Sequence, residues 1–190
     1  MSSRDTRLSN RCLCGSQKPF SRCCGPHLVA LSAPTAEALM RSRYSAFCQG
    51  NVDYLIATHH PSMRSDDEPK SLAASVRHTA WKNLLVIKTQ KGQKKDKTGV
   101  VEFVAAYQQA ANPSSPVNSA ILNSSANSSG LVTAPKAKLQ QLHERSRFVR
   151  EKGQWFYLDG DILPPFEPKR SQPCWCGSGK PFKRCHAAKQ

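Results

Sequence analysis

Apolar and polar positions along the chain follow two periods, and the change between them divides the middle of the sequence. Ala36, Leu39, Met40, Arg43, Tyr44 and Phe47 recur three or four apart, which predicts a helix over 36–49. Thr35 supplies its N-cap oxygen and Gly50 its stop. Asn51 caps a second, short helix through Tyr54-Leu55-Ile56, residues 59–70 read as loop, and Ser71 opens a third short helix ending near Thr79. From Trp81 the period drops to two, the spacing of side chains on one face of a strand. Leu84-Leu85-Val86-Ile87 predicts one strand and residues 100–107 the next, with the charged run 91–97 as a hairpin loop. Strands resume at 142–151 and, after Lys152-Gly153, at 154–158. Three helices followed by four strands in hairpin order predict an α+β fold, with the helices covering one face of a curved antiparallel sheet.

Two stretches punctuate this core. Residues 110–140 are rich in Asn, Ser, Ala and Pro and hold no aromatic residue, so they bury too little apolar surface to order themselves. They predict a flexible excursion at a hairpin tip. Pro164-Pro165-Phe166-Glu167-Pro168 reads as a linker. The expected organisation is a small unit over 1–30, a core over 34–163 and a second small unit over 170–190.

The two small units carry the chemistry. The first spells Cys12-Leu-Cys14-Gly-Ser-Gln-Lys-Pro-Phe-Ser-Arg-Cys23-Cys24, the second Cys174-Trp-Cys176-Gly-Ser-Gly-Lys-Pro-Phe-Lys-Arg-Cys185-His186. Eight residues separate the inner cysteines in both, and seven of the chain's eight cysteines fall in these copies, so the pattern is an internal repeat. Thiolate and imidazole are the donors zinc prefers, and a closed structural site takes four of them in a tetrahedron. Cys12, Cys14, Cys23 and Cys24 form one candidate set; Cys174, Cys176, Cys185 and His186 form the other. Gly-Ser turns the chain behind each Cys-x-Cys pair, and Lys-Pro-Phe reads as the start of a short helix that returns the last two ligands. Units this small bury no core of their own, so metal must supply their folding energy, and the middle domain is expected to stand without them. Zinc is the first candidate ion for each set and iron the second, since thiolate-rich sites accept both. Disulfides are the competing reading, and a reducing compartment argues against them.

Residues 1–11 contain no apolar run of the kind that opens a signal peptide, and no stretch is long and apolar enough to cross a membrane, so a soluble, cytoplasmic protein is expected. The net charge of +15 is weighted toward the two ends, and no acidic residue falls between Ser171 and Gln190. That distribution suits an acidic protein or nucleic-acid partner.

Within the middle, His143-Glu144-Arg145-Ser146-Arg147 is the densest polar cluster on a strand. His143, Arg145 and Arg147 share one face; Glu144, Ser146 and Phe148 share the other. Together with Arg41, Arg43 and Tyr44 from the first helix, the first face is a candidate cavity lining for an anion, against the competing reading that these are structural ion pairs. His143 and Asp53 are the titratable groups a catalytic site would draw on. His59-His60 reads as a helix end, Cys48 as a small buried residue, and Trp81 and Trp155 as core. No phosphate loop, dinucleotide fingerprint or nucleophile elbow is present.

The terminal motifs resemble the SEC-C motif, named for the C-terminal metal-binding tail of the SecA translocation ATPase. The phrases Ala36–Phe47, Asp53-Tyr54-Leu55, Trp81, Val101-Glu102-Phe103, His143–Phe148 and Trp155–Gly160 resemble the YchJ family of bacterial proteins. That resemblance implies a nuclear-transport-factor-2-like (cystatin-like) cone, in which a curved sheet wraps helices around a cavity, and no established activity. Likeness to the SecA tail implies knuckles that dock on the ribosome, with ribosomal RNA in reach, or on an export chaperone such as SecB. The rival expectation is a small-molecule-binding protein or enzyme that uses the cone. Gln17 departs from the motif where the second copy keeps Gly179. If that turn needs a positive φ, Gln17 costs on the order of 1 kcal/mol.

Overall fold

The computed structural model describes residues 11–109 and 138–187, so the 110–140 stretch lies outside the described residues except for its last three. Helix α1, Cys24–Ala30, leaves the first Cys-rich motif directly. Gly25 and Pro26 are residues that disfavour a helix interior. Pro26 instead falls in the first helical turn, where its missing N–H would have had no partner.

Helix α2 spans Ala36–Gln49 as expected; the Thr35 hydroxyl accepts from the Ala38 amide at 3.1 Å, and Gly50 closes the helix at φ 71°. Helix α3, Val52–Ala57, is capped by the Asn51 side chain. A short 3₁₀ turn, Pro61–Met63, sits in the stretch read as loop. Helix α4 runs Glu68–His78, three residues longer at its start than the Ser71 reading, because Pro69 belongs to its first turn.

Four antiparallel strands follow in the order β1-β2-β3-β4: β1 Thr79–Lys91, β2 Thr98–Gln109, β3 Gln140–Glu151 and β4 Gln154–Ile162. Leu84 lies opposite Ala105, Val104 opposite His143, and Arg150 opposite Trp155. The pairing slips between Trp81 and Asn83, between Val86 and Lys88, and between Arg147 and Phe148. Bulges of this kind bend a strand and increase its twist, which curves the sheet around α2.

Both faces of the sheet are covered. On the inner face Leu39, Met40, Tyr44, Tyr54 and Leu55 of the helices pack with Leu84, Val101, Phe103, Phe148 and Trp155 of the strands. On the outer face Val104 and Ala106 pack with Cys174, Trp175 and Phe182 of the C-terminal motif, joined by Leu85, Ile87 and Phe166. Two covered faces explain why Val100–Ala106 reads as a near-continuous apolar run.

The first motif is part of the main core, since Cys12, Cys14 and Cys24 belong to the inner cluster. The expectation of a middle domain indifferent to its knuckles is therefore revised. The two motifs also meet the same place on β1. A Cβ on Gly15 would lie 2.8 Å from the Leu84 carbonyl oxygen, and one on Gly177 would lie 2.7 Å from the Asn83 side chain. The Asn83 amide donates to the Trp175 carbonyl at 2.9 Å. Among the described residues no helix is long and apolar enough to cross a membrane.

Candidate metal centres and the cavity

The two motifs share one backbone plan. Arg11 bridges to Pro19 and Pro173 to Pro181, each as an antiparallel pair closing a small loop. The Cys12 amide donates to the Lys18 carbonyl at 2.8 Å, and the Cys174 amide to the Lys180 carbonyl at 2.9 Å. Pro19 and Pro181 then cap single 3₁₀ turns, Phe20–Arg22 and Phe182–Arg184, which deliver the last two ligands. Proline precedes each turn rather than occupying its first position. The turn between the ligand pairs does need left-handed backbone at its third residue, φ 73° at Gly179 and 63° at Gln17. The Gln17 side chain accepts a hydrogen bond from Arg11, which ties this strained residue to its own loop.

The four donor atoms of each set lie within 4.8 Å of one another. Cys14 and Cys23 sulfurs are 3.6 Å apart and those of Cys23 and Cys24 3.9 Å. In the second set Cys176 and Cys185 sulfurs are 3.6 Å apart, and the His186 Nδ1 lies 3.2 Å from the Cys174 sulfur and 3.4 Å from that of Cys185. A disulfide would bring sulfurs to about 2.0 Å. Tetrahedral ligation at the usual zinc–sulfur length of about 2.3 Å puts them about 3.8 Å apart. The separations fit ligation, and all eight cysteines are free thiols. Each set can hold a metal ion.

Electrostatics points the same way. Hydrogen bonds from Cys14 and Cys24 pull the Cys12 thiol far down, while its bonds to Cys12 and Cys14 drive Cys24 far up. Cys23 is raised by burial. In the second set burial pushes Cys174 up to about 11; Cys176 ends lowered because hydrogen bonds from Ser178, Cys174 and Cys185 outweigh its burial. Packed this tightly, the thiols do not all ionise unless a cation joins them.

Between helices and sheet lies a cavity of about 320 Å³. Met40, Phe47, Leu72, Trp81, Phe103 and Leu142 form its apolar wall. Arg43, His59, Glu68, Glu144 and Tyr157 gather at its polar side. Arg43 is 6% exposed; its Nη1 donates to the Leu55 carbonyl and to Thr58 Oγ1, both at 2.7 Å, and its guanidinium lies 4.8 Å from the Tyr157 ring centre. Burial lowers its pKa to about 10. His59 Nδ1 is 2.6 Å from Glu68 Oε1 and Nε2 is 3.3 Å from the Leu158 carbonyl, so neither ring nitrogen is free. The Glu144 carboxylate accepts from Ser146 at 2.6 Å and from Tyr157 at 3.3 Å. Burial and the nearby Glu144 carboxylate hold the Tyr157 phenol well above its usual range.

Of the six residues read as cavity lining, the structure brings Arg43 and Tyr44 to it. Arg41 points the other way, donating to Glu37 at 2.8 Å and to the Cys14 carbonyl at 2.9 Å. His143, Arg145 and Arg147 stand on the outer face, a correction to the sequence reading. His143 pairs with Glu102 and the Pro164 carbonyl, Arg145 with Glu102, and Arg147 with Asp159 and Asp161. Their neighbours Ser146 and Phe148, 0% and 2% exposed, turn inward instead. Asp53 is exposed on α3. Glu68 and Glu144 bring two carboxylates to the cavity wall beside Arg43 and His59. The sequence reading has His59 as a helix end and Glu68 inside the 59–70 loop, and the structure brings both to the cavity.

The comparisons with known proteins agree with this architecture. The family profile described as "YchJ, middle NTF2-like domain" matches residues 35–127 and 130–160. That of the SEC-C motif matches residues 170–188. A UPF0225 protein of Vibrio cholerae serotype O1 is 37% identical over 175 residues, 92% of this chain and 97% of the relative. One from Yersinia pestis (strain Pestoides F) is 36% identical over 179 residues, 94% and 98% of the two chains. The solution structure of a SEC-C motif containing protein from Rhodopseudomonas palustris matches with a TM-score of 0.60 at 29% identity, covering 81% of this chain and 99% of that one. A crystal structure of a SEC-C motif containing protein from Psychrobacter arcticus matches with a TM-score of 0.56 at 25% identity, covering 97% and 99%. With a four-stranded NTF2-like middle and a SEC-C tail in one continuous match, this chain belongs to the YchJ (UPF0225) family.

Proposed function

We propose that the protein is a non-enzymatic zinc-binding interaction protein of the cytoplasm, whose knuckles dock on the ribosome, through its RNA, or on an acidic export chaperone of the SecB kind. One observation supports this above all others. Two matching four-donor sets each present the same exposed cations, Lys18 and Arg22 in the first and Lys180 and Arg184 in the second, with Lys183 beside them. Zinc suits both donor sets, four thiolates in one and three thiolates with an imidazole in the other. A bound ion replaces mutual thiolate repulsion with attraction, fixes the 3₁₀ turn, and so fixes where those cations point. Both ring nitrogens of His59 are held, one by Glu68 and one by the Leu158 carbonyl, so the imidazole serves the wall of the cavity.

The test has two stages. Elemental analysis of protein purified without added metal should find about two zinc ions per chain; iron in their place would revise the metal, and one ion would leave the first set empty. Changing Lys180, Lys183 and Arg184 together to Ala should leave metal content intact and reduce co-sedimentation with ribosomes, or capture of SecB, at low salt. Phosphate contacts release counterions, so raising the salt should weaken the unmodified protein's RNA binding steeply. Absence of both interactions for the unmodified protein at low salt would refute the docking role and leave the metal assignment standing.

A further inference from the structure

We infer that the cavity between α2, α4 and the sheet binds a small ring-bearing amine, with its ammonium on Glu68 and its ring against the aromatic wall. The argument starts from two atoms. Glu68 Oε2 and Trp81 Nε1 are both shut away from solvent, neither has a hydrogen-bond partner, and both residues line the same cavity. A buried polar atom without a partner costs about 1–3 kcal/mol, and more where it is charged. Leaving one acceptor and one donor unsatisfied around one space is what a site looks like before its ligand supplies the complement. A volume of about 320 Å³ falls in the range of small-molecule pockets.

The chemistry of the ligand follows from what is already committed. Arg43 gives its Nη1 to Leu55 and Thr58 and lays its guanidinium over the Tyr157 ring, so it is anchored as part of the wall. Glu144 is occupied by Ser146 and Tyr157. Glu68 gives one oxygen to His59 and keeps the other free. Glu68 Oε2 is a buried acceptor without a partner, and an ammonium is the donor that would complement it. Across the cavity, the Trp81 ring lies 6.0 Å from that of Tyr44 and 5.9 Å from that of Phe47. Such a cluster offers ring faces to an aromatic or alicyclic body and to the adjoining ammonium.

Three matched probes test this on the full-length, metal-loaded protein: 2-phenylethylamine, 2-phenylethanol and 3-phenylpropanoate. The amine should bind most tightly, the alcohol more weakly, and the carboxylate not measurably. The indole N–H resonance of Trp81 should shift on titration with the amine, while those of Trp155 and Trp175 stay in place. Glu68→Gln should weaken the amine by about tenfold or more and change the alcohol's affinity by less than about threefold, the loss expected for one charged hydrogen bond. Should that variant fail to fold, Ala105→Leu, which fills the cavity from β2, should abolish binding of amine and alcohol alike. Tighter binding of the carboxylate than of the amine, or no Trp81 shift at millimolar amine, overturns the proposal. Neither result bears on the metal sites, which the zinc content reports separately.

Discussion

Gly15 and Gly177 occupy the same place in the two knuckles, yet replacing them should have unequal effects. Both have positive φ, 75° and 79°, where any Cβ costs on the order of 1 kcal/mol. At Gly15 the added carbon meets a backbone oxygen that cannot move without shifting β1; at Gly177 it meets the Asn83 side chain, which can give way at the cost of its hydrogen bond to Trp175. Gly15→Ala should therefore destabilise the metal-loaded protein more than Gly177→Ala, by about 2 kcal/mol or more against about 1. Denaturant unfolding of the two variants side by side measures the difference. Gln17, at φ 63°, is the opposite case: Gln17→Gly should raise stability, by no more than about 1 kcal/mol because the Arg11 contact is lost with it.

Among the elements, the ion cluster on the outer face of the sheet gives a pH test. Burial pushes Glu102 up, but hydrogen bonds from His143 and Arg145 outweigh it and leave its carboxyl below the usual range. A folded value below the unfolded one means the group adds stability above the carboxylate range and loses it as pH falls through the folded value. Glu102→Gln should cost less than about 1 kcal/mol near neutrality, since the pair with Arg145 is half in solvent, and nothing once both forms are protonated. Unfolding curves of both proteins near neutral pH and near pH 3 should thus converge at the acid end. This face also shows where the sequence stops being informative. Helix α2 could be read end to end because Thr35 and Gly50 are local signals. The two four-donor clusters could be read for the same reason, their spacing being a property of the motif alone. Strand parity put His143, Arg145 and Arg147 together, as the structure does, yet could not say which face was inside. The tail covers the outer face and buries His143 to 10% exposure, so burial alone does not separate the two sides. Helix α1 and the start of α4 carry Pro26 and Pro69 in their first turns, where proline is tolerated, so neither start shows as an uninterrupted periodic run.

For the molecule as a whole, the first candidate metal set is built into the main core and the second into a clasp on the outer face of the sheet. Cys12, Cys14 and Cys24 lie inside the main cluster, and Cys12 is 3.7 Å from Ser45 of α2. Chelation should accordingly lower the main thermal transition by several degrees, each kcal/mol being worth about 2–8 °C. His186→Ala, which damages the outer site alone, should lower it less. A main transition that ignores chelators would mean the helices and sheet hold without the first ion.

β1 is the last strand on its side of the sheet, and both knuckles lean on it at Leu84 and Asn83. Sheet edges recruit other chains when nothing blunts them. A chain whose two donor sets stay empty should carry that strand unguarded, along with the apolar stripe of Leu85, Ile87, Val104 and Ala106 that Trp175 and Phe182 otherwise cover. Metal supply would then decide solubility as well as shape. Light scattering on the protein before and after chelation should show self-association growing as the ions leave, and reversing when zinc is returned.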